Sequence, residues 1–279
     1  MIDSHCHIQF KGYKDDYKQV VKRCSDKNCT MITVGTQKDT SQKAIKFAKK
    51  YQNIYATIGL HPIHLFPTHV DEEESSFLSR EEKFDHDYYK KLAEHPKVVG
   101  IGECGIDLFH IPKNIERKIV VEKQKQVFLQ QINLAQELNL PVAIHIRSAH
   151  DETIKFLQDL EQKPAGVVHC YSSNWLNAEK YLNMGLYVGF TGIITFPAKK
   201  SDPQTQADLL EVVRKCPLDK ILIETDAPYL APQTYRGQRC EPWMVEEVAK
   251  KVAEVKHLPL EEVVKITEQN TKKLFTKIN

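Results

Sequence analysis

The chain has 279 residues, 41% hydrophobic and 27% charged, with Lys plus Arg at 39 and Asp plus Glu at 37. That composition excludes global disorder, and a formal net charge of +2 is too balanced for a protein that coats long nucleic acid by charge alone. No run approaches the ~18 consecutive apolar residues of a membrane helix.

From the N-terminus, Met1-Ile2-Asp3-Ser4-His5-Cys6-His7 lacks the basic start and apolar run of a secretory signal. Seven scattered Cys, with no CxxC pair, predict buried free thiols and a reducing, cytoplasmic setting, or a nuclear one in a eukaryote. Short apolar runs then alternate with longer stretches of helical spacing. The runs Met1-Ile2, Met31-Val34, Ile54-Ile58, Val98-Ile101, Val142-Ile146, Gly166-Val168, Leu186-Phe190 and Ile221-Ile223 predict eight strands. Continuous apolar strands suit a parallel sheet covered by helices. Helices are predicted over 15–27, 40–51 (with Asp39 or Thr40 as N-cap), 116–138, 173–184, 203–215, 242–255 and 260–275. Segment 64–89, with its acidic run over 71–74, breaks the rhythm and predicts a solvated insertion with a short helix. Strand–helix alternation repeated eight times predicts an α/β fold, a (β/α)8 TIM barrel. It would form one domain over residues 1–279, with its site at the C-terminal face of the strands.

What ends each run carries the chemistry. Run one ends His5-Cys6-His7, run four ends Gly102-Glu103-Cys104, run five contains His145, run six ends at His169, and run eight ends Glu224-Thr225-Asp226. Residues two apart on a strand share a face, so His5 and His7 form a chelating pair, and barrel closure brings Asp226 beside them. The two oxygens of Glu103 could bridge two cations. A lone His at a strand end is more often a hydrogen-bonded structural group than a ligand. Four imidazoles and two carboxylates buried together, however, would be costly without a cation. His86, His95, His110, His150 and His257, in polar or helical surroundings, are expected on the surface.

The succession HxH, GECGID, AIHIR, VVHCYS and ETDAPYL resembles the TatD family of metal-dependent deoxyribonucleases, within the amidohydrolase-like barrel superfamily. GLHP at Gly59–Pro62, PKVVGIGE at Pro96–Glu103 and Thr271-x-x-Leu274-Phe275 are similar to further blocks of it. The resemblance implies two divalent ions, with His5, His7 and Asp226 on the first, His145 and His169 on the second, and Glu103 bridging. It implies hydrolysis of DNA phosphodiesters from the 3′ end of single-stranded or frayed DNA. It also places His61 and Arg147 near the substrate phosphate and Arg236 on a neighbouring loop. Cys240 before Glu241-Pro242, and Ile63 between GLHP and His64, depart from the family pattern.

In such a site Glu103 and Asp226 are the expected catalytic carboxylates, Asp226 orienting a water and taking its proton. The donor mix suits Zn, Mn or Co, with Mg held more weakly. Tyr171, Trp175, Phe190, Phe196 and Tyr229 are candidates to stack on a terminal base, with ordinary packing the competing explanation. A monomer that engages single strands or ends, and no membrane, is expected. Two rival readings use the same residues: a hydrolase of a non-nucleic-acid ester, lactone or amide, and a non-catalytic metal-binding scaffold.

Overall fold

A computed structural model describes residues 1–67, 69–72 and 75–278. Its main sheet has eight parallel strands in the order β1 (Ile2–Cys6), β2 (Thr30–Val34), β3 (Ile54–Ile58), β6 (Val98–Asp107), β7 (Val142–Arg147), β8 (Gly166–Val168), β9 (Tyr187–Phe190) and β10 (Ile221–Ile223). A parallel bridge between Cys6 and Ala227 joins the first strand to the segment after the last, with Asp226 N–H donating to the His5 carbonyl at 2.9 Å. Asp3 reinforces that seam, accepting from Thr225 N–H at 2.9 Å and from the Thr225 hydroxyl at 2.6 Å. The sheet is therefore a (β/α)8 barrel.

Helices alternate with the strands: α1 (Tyr17–Asp26), α2 (Lys38–Lys50), α3 (His86–Ala93), α4 (Arg117–Glu137), α5 (His150–Asp159), α6 (Trp175–Asn183), α7 (Pro203–Lys215), α8 (Val245–Lys256) and α9 (Leu260–Leu274). The pleat divides the strand side chains between two cores. Ile2, Ile32, Val34, Val99, Ala143, Val167 and Leu222 fill one with Phe275, while Met31, Ile54, Val98, Val142, Val168 and Ile221 pack in the other against the helices. In α4, Val120, Phe128, Ile132 and Ala135 recur at helical spacing and are buried, which is why this stretch folds as a helix against the sheet.

Several boundaries differ from expectation. The fourth barrel strand does not stop at Ile101 but runs to Asp107, because Gly102, Glu103, Gly105 and Asp107 stay buried in the ladder although they interrupt the apolar run. Helix α2 is capped by Gln37, with Thr40 three residues inside accepting from Gln37 N–H at 3.0 Å. Helix α5, whose first turn is His-Asp-Glu, is not among the expected helices, although Ile154 and Leu157 are buried at helical spacing. Segment 64–89 holds an antiparallel pair, β4 (His69–Glu72) with β5 (Ser75–Leu78), and α3 begins near its end; Glu73 and Glu74 of the acidic run lie outside the described residues. All seven cysteines are free and six are buried. None of the helices among the described residues is long and apolar enough to cross a membrane.

Candidate metal centre

The strands that carry the expected site residues are distorted where they carry them. The β1–β2 register shifts between Asp3 and Cys6, and the β6–β7 register shifts between Ile101 and Cys104. Such bulges re-aim side chains at barrel rims. Gly102 and Gly105 flank the second one at φ +145° and +148°. A Cβ on Gly105 would stand 2.0 Å from the His145 carbonyl oxygen, so only glycine lets β6 lie this close to β7. Past the strand ends, Ser148, Cys170 and Asp226 adopt left-handed backbone, turning the chain sharply at the rim.

This scaffold brings His5, His7, His61, Glu103, His145, His169 and Asp226 into one cluster. His5 Nε2 is 3.5 Å from Glu103 Oε2 and 3.8 Å from Asp226 Oδ1. His7 Nε2 is 3.3 Å from Asp226 Oδ1 and 3.8 Å from Glu103 Oε2. His145 Nδ1 lies 2.9 Å from Glu103 Oε1, and His61 Nε2 lies 3.4 Å from the same oxygen. His169 Nε2 is 3.7 Å from Asp226 Oδ1 and 3.9 Å from Glu103 Oε1.

Three sets converge tightly enough to hold a cation: His5, His7 and Glu103; His5, His169 and Asp226; and His61, Glu103 and His145. His145 and His169, expected on one ion, fall into different sets. The ring of His169 stacks on His5 with centroids 3.5 Å apart, and Glu224 pins its Nδ1 at 2.8 Å, turning Nε2 toward Asp226.

The chemistry of this donor set fits divalent metal. Both nitrogens of His5 are buried without a hydrogen-bond partner, an arrangement that costs free energy unless something accepts the lone pair. His7 Nδ1 donates to the Val34 carbonyl at 2.8 Å, which leaves Nε2 as a bare acceptor aimed at the cluster. Burial works to raise the carboxyl of Glu103, yet the imidazoles of His61, His5 and His145 hold it well below the usual carboxylate range. Burial likewise opposes ionised Asp226, and His169, His7 and His5 hold it low. Burial opposes protonated His145, but Asp107 and Glu103 push it up to about 10; His169 reaches about 9 beside Glu224 and Asp226. The carboxylates thus draw cationic charge to the cluster, and metal ions held there would supply that charge in place of protons on imidazole.

Two residues here were not among the expected ones. Asp107, at 1% exposure, accepts from His145 Nε2 at 3.1 Å and from His110 Nδ1 at 2.9 Å; Glu224, fully buried, orients His169. Both stand at even spacing from a named residue, Asp107 four beyond Glu103 and Glu224 two before Asp226, and strand periodicity is the signal that finds them. His110 is consequently not a surface residue. The Asp107 side chain also accepts from Phe109 N–H and His110 N–H, both at 2.9 Å, and curls the loop back over the rim. His150 is not one either, since its ring packs 5.5 Å from Tyr171 and 5.9 Å from Tyr181.

Of the expected phosphate contacts, His61 belongs to this centre. Arg147 lies with its guanidinium 4.3 Å over the Phe109 ring, and Arg236 lies 4.5 Å over Phe196. Of the expected stacking residues, Tyr171 and Phe190 are buried and Trp175 carries Lys215 over its ring at 5.7 Å. Tyr229 stands edge-on to His7 at 6.4 Å.

Comparison with known proteins agrees with this geometry. The profile of the TatD related DNase family matches residues 2–276. An uncharacterized metal-dependent hydrolase of Bacillus subtilis, YabD, is 34% identical over 99% of this chain and 98% of its own. A protein of Pantoea vagans named 3′-5′ ssDNA/RNA exonuclease TatD is 34% identical over 99% of each chain. Among solved structures, the TatD homologue YjjV of Escherichia coli superposes with a TM-score of 0.81 at 28% identity, covering 99% of this chain and 98% of that one. The chain belongs to the TatD-related family of metal-dependent hydrolases.

Proposed function

We propose that this protein hydrolyses DNA phosphodiester bonds as a 3′-5′ exonuclease on single-stranded or frayed ends. The observation that carries the proposal is the buried imidazole–carboxylate cluster, in a family whose named relatives include a single-strand exonuclease. His5, His7 and Asp226 would hold one divalent ion and Glu103 would be shared with a second, on which His145 and His169 would have to converge from the separate sets in which they now lie. Bound there, Zn, Mn, Co or Mg would supply a water nucleophile at neutral pH and neutralise charge developing on the phosphoryl oxygens.

The chain's own residues divide the remaining work. Asp226 has the most exposed side chain of the cluster at 17% and is ionised, so it orients the water and takes its proton. His61 Nδ1 accepts from Ile63 N–H at 3.2 Å. That leaves the proton on Nε2, and burial keeps the ring neutral. Although His61 joins one of the three converging sets, it therefore acts as a hydrogen-bond donor at the centre, suited to a phosphate oxygen. Arg147 and Arg236, held on aromatic rings at the rim, would clamp the phosphate geometrically as well as by charge.

The test is a single-stranded oligonucleotide labelled at one end or the other, with each divalent ion in turn and a chelator control. Stepwise shortening from the 3′ end that chelator abolishes is the expected result. Hydrolysis of a lactone or cyclic amide with no attack on any phosphodiester would overturn the reading in favour of an amidohydrolase chemistry. Full metal occupancy with no hydrolysis of either class would favour a non-catalytic scaffold.

A further inference from the structure

We infer that the loop between β1 and α1 forms a second nucleic-acid subsite, a basic and aromatic cleft that holds a single strand one nucleotide beyond the bond being cut. This rests on the proposed exonuclease reading and names a part of the substrate site assigned by none of the motifs above.

A cavity of about 280 Å³ lies directly after His7, lined by Gln9, Phe10, Lys11, Lys14, Lys43 and Phe47 among others. Its position is fixed by Phe10, which lines the cavity and stacks on His7 with centroids 4.3 Å apart and planes at 14°. The cleft and the candidate metal centre are therefore neighbours across one aromatic ring, on the same rim of the barrel. Its walls carry what a single strand needs. Phe10, Tyr17 and Phe47 offer aromatic surface, Tyr17 and Phe47 packing edge to face at 5.1 Å. Lys11 and Lys14 are exposed, and no described residue gives either an acidic partner; Lys43 is 3.7 Å from Asp39. Cations that follow the backbone and rings that accept any base are the common equipment of sequence-tolerant strand binding.

The cleft is also held in shape, which lowers the ordering cost of binding. Arg239 reaches back across the loop. It donates to the Gly12 carbonyl at 2.5 Å and to both oxygens of Asp16 at 2.9 and 2.6 Å, and its guanidinium lies 4.4 Å over Tyr13. The Tyr13 hydroxyl in turn donates to the Cys240 carbonyl. Asp16 is thereby occupied, and Asp15, next to Lys14 in the chain, is exposed.

The experiment compares the metal-loaded full chain with its Lys11→Gln/Lys14→Gln double variant. Binding of a dye-labelled, phosphorothioate-linked ten-residue oligothymidylate, which resists cleavage, is read by fluorescence anisotropy. The variant's Kd should rise about tenfold, and the slope of log affinity against log salt should flatten by about 1.4, the value for two lost single-strand phosphate contacts. Hydrolysis of bis(4-nitrophenyl) phosphate, which carries no second phosphate for Lys11 and Lys14 to hold, should stay within about twofold of the parent. A Kd unchanged in the variant overturns the inference, as does competition by polyglutamate equal to that of unlabelled oligothymidylate, which would mark a surface for acidic protein. If the parent chain cleaves no phosphodiester, the exonuclease reading fails, and the anisotropy result still decides the cleft.

Discussion

Replacing Asp226 with Asn should lower the rate of phosphodiester hydrolysis by about 10³-fold or more while leaving the barrel folded. The loss follows from removing both an ionised acceptor for the proton of water, worth roughly 10²–10⁴ in rate, and one negative ligand facing His5, His7 and His169. The fold survives because Asp226 occupies left-handed backbone at φ 61°, where Asn is as comfortable as Asp. Its N–H bond to the His5 carbonyl, which helps close the barrel, involves no side-chain atom. Rate assays alongside far-UV circular dichroism and a thermal melt check both halves. Near-normal turnover in Asp226→Asn would remove this residue from the mechanism.

Gly105→Ala should do the opposite and strike the fold first. The new methyl carbon would sit 2.0 Å from the His145 carbonyl oxygen and 3.0 Å from the His145 nitrogen, both backbone atoms that cannot swing aside. The residue would also be held at φ +148°, a region that L side chains rarely adopt. Relief requires β6 and β7 to part, and the ladder from Cys104–Ile144 to Asp107–Arg147 positions both His145 and Asp107. We expect a destabilisation of at least about 3 kcal/mol, read by chemical denaturation, together with loss of metal affinity. A variant as stable as the parent, with its metal retained, would show that the close approach of these strands is not required.

Much of the architecture was legible because burial and periodicity coincide in most strands. Ile54–Ile58, Gly166–Val168 and Ile221–Ile223 fold as strands over the very residues their apolar character marks. Legibility failed where polar residues are buried for a reason other than packing. The strand β6 continues through Glu103 and Asp107 because the cluster and its hydrogen bonds, not an apolar face, keep those positions inside. Asp107 and Glu224 escape for the same reason: each is a carboxylate that holds an imidazole, and only its even spacing from Glu103 or Asp226 marks it. His110 and His150 read as surface groups because their neighbours in sequence are polar, whereas their neighbours in space are Asp107 and two tyrosines. The candidate site residues themselves are scattered over 222 positions, from residue 5 to residue 226, and only closure of the sheet collects them.

The account rests on divalent cations sitting among these imidazoles and carboxylates. Inductively coupled plasma mass spectrometry on protein saturated with zinc or manganese and then freed of excess ion tests it most directly. The account predicts about two ions per chain in the parent and a loss of both in Glu103→Gln, whose two oxygens face His5 and His7 on one side and His61 and His145 on the other. Protein that retains no metal after saturation, or a Glu103→Gln variant with undiminished metal content, would contradict it.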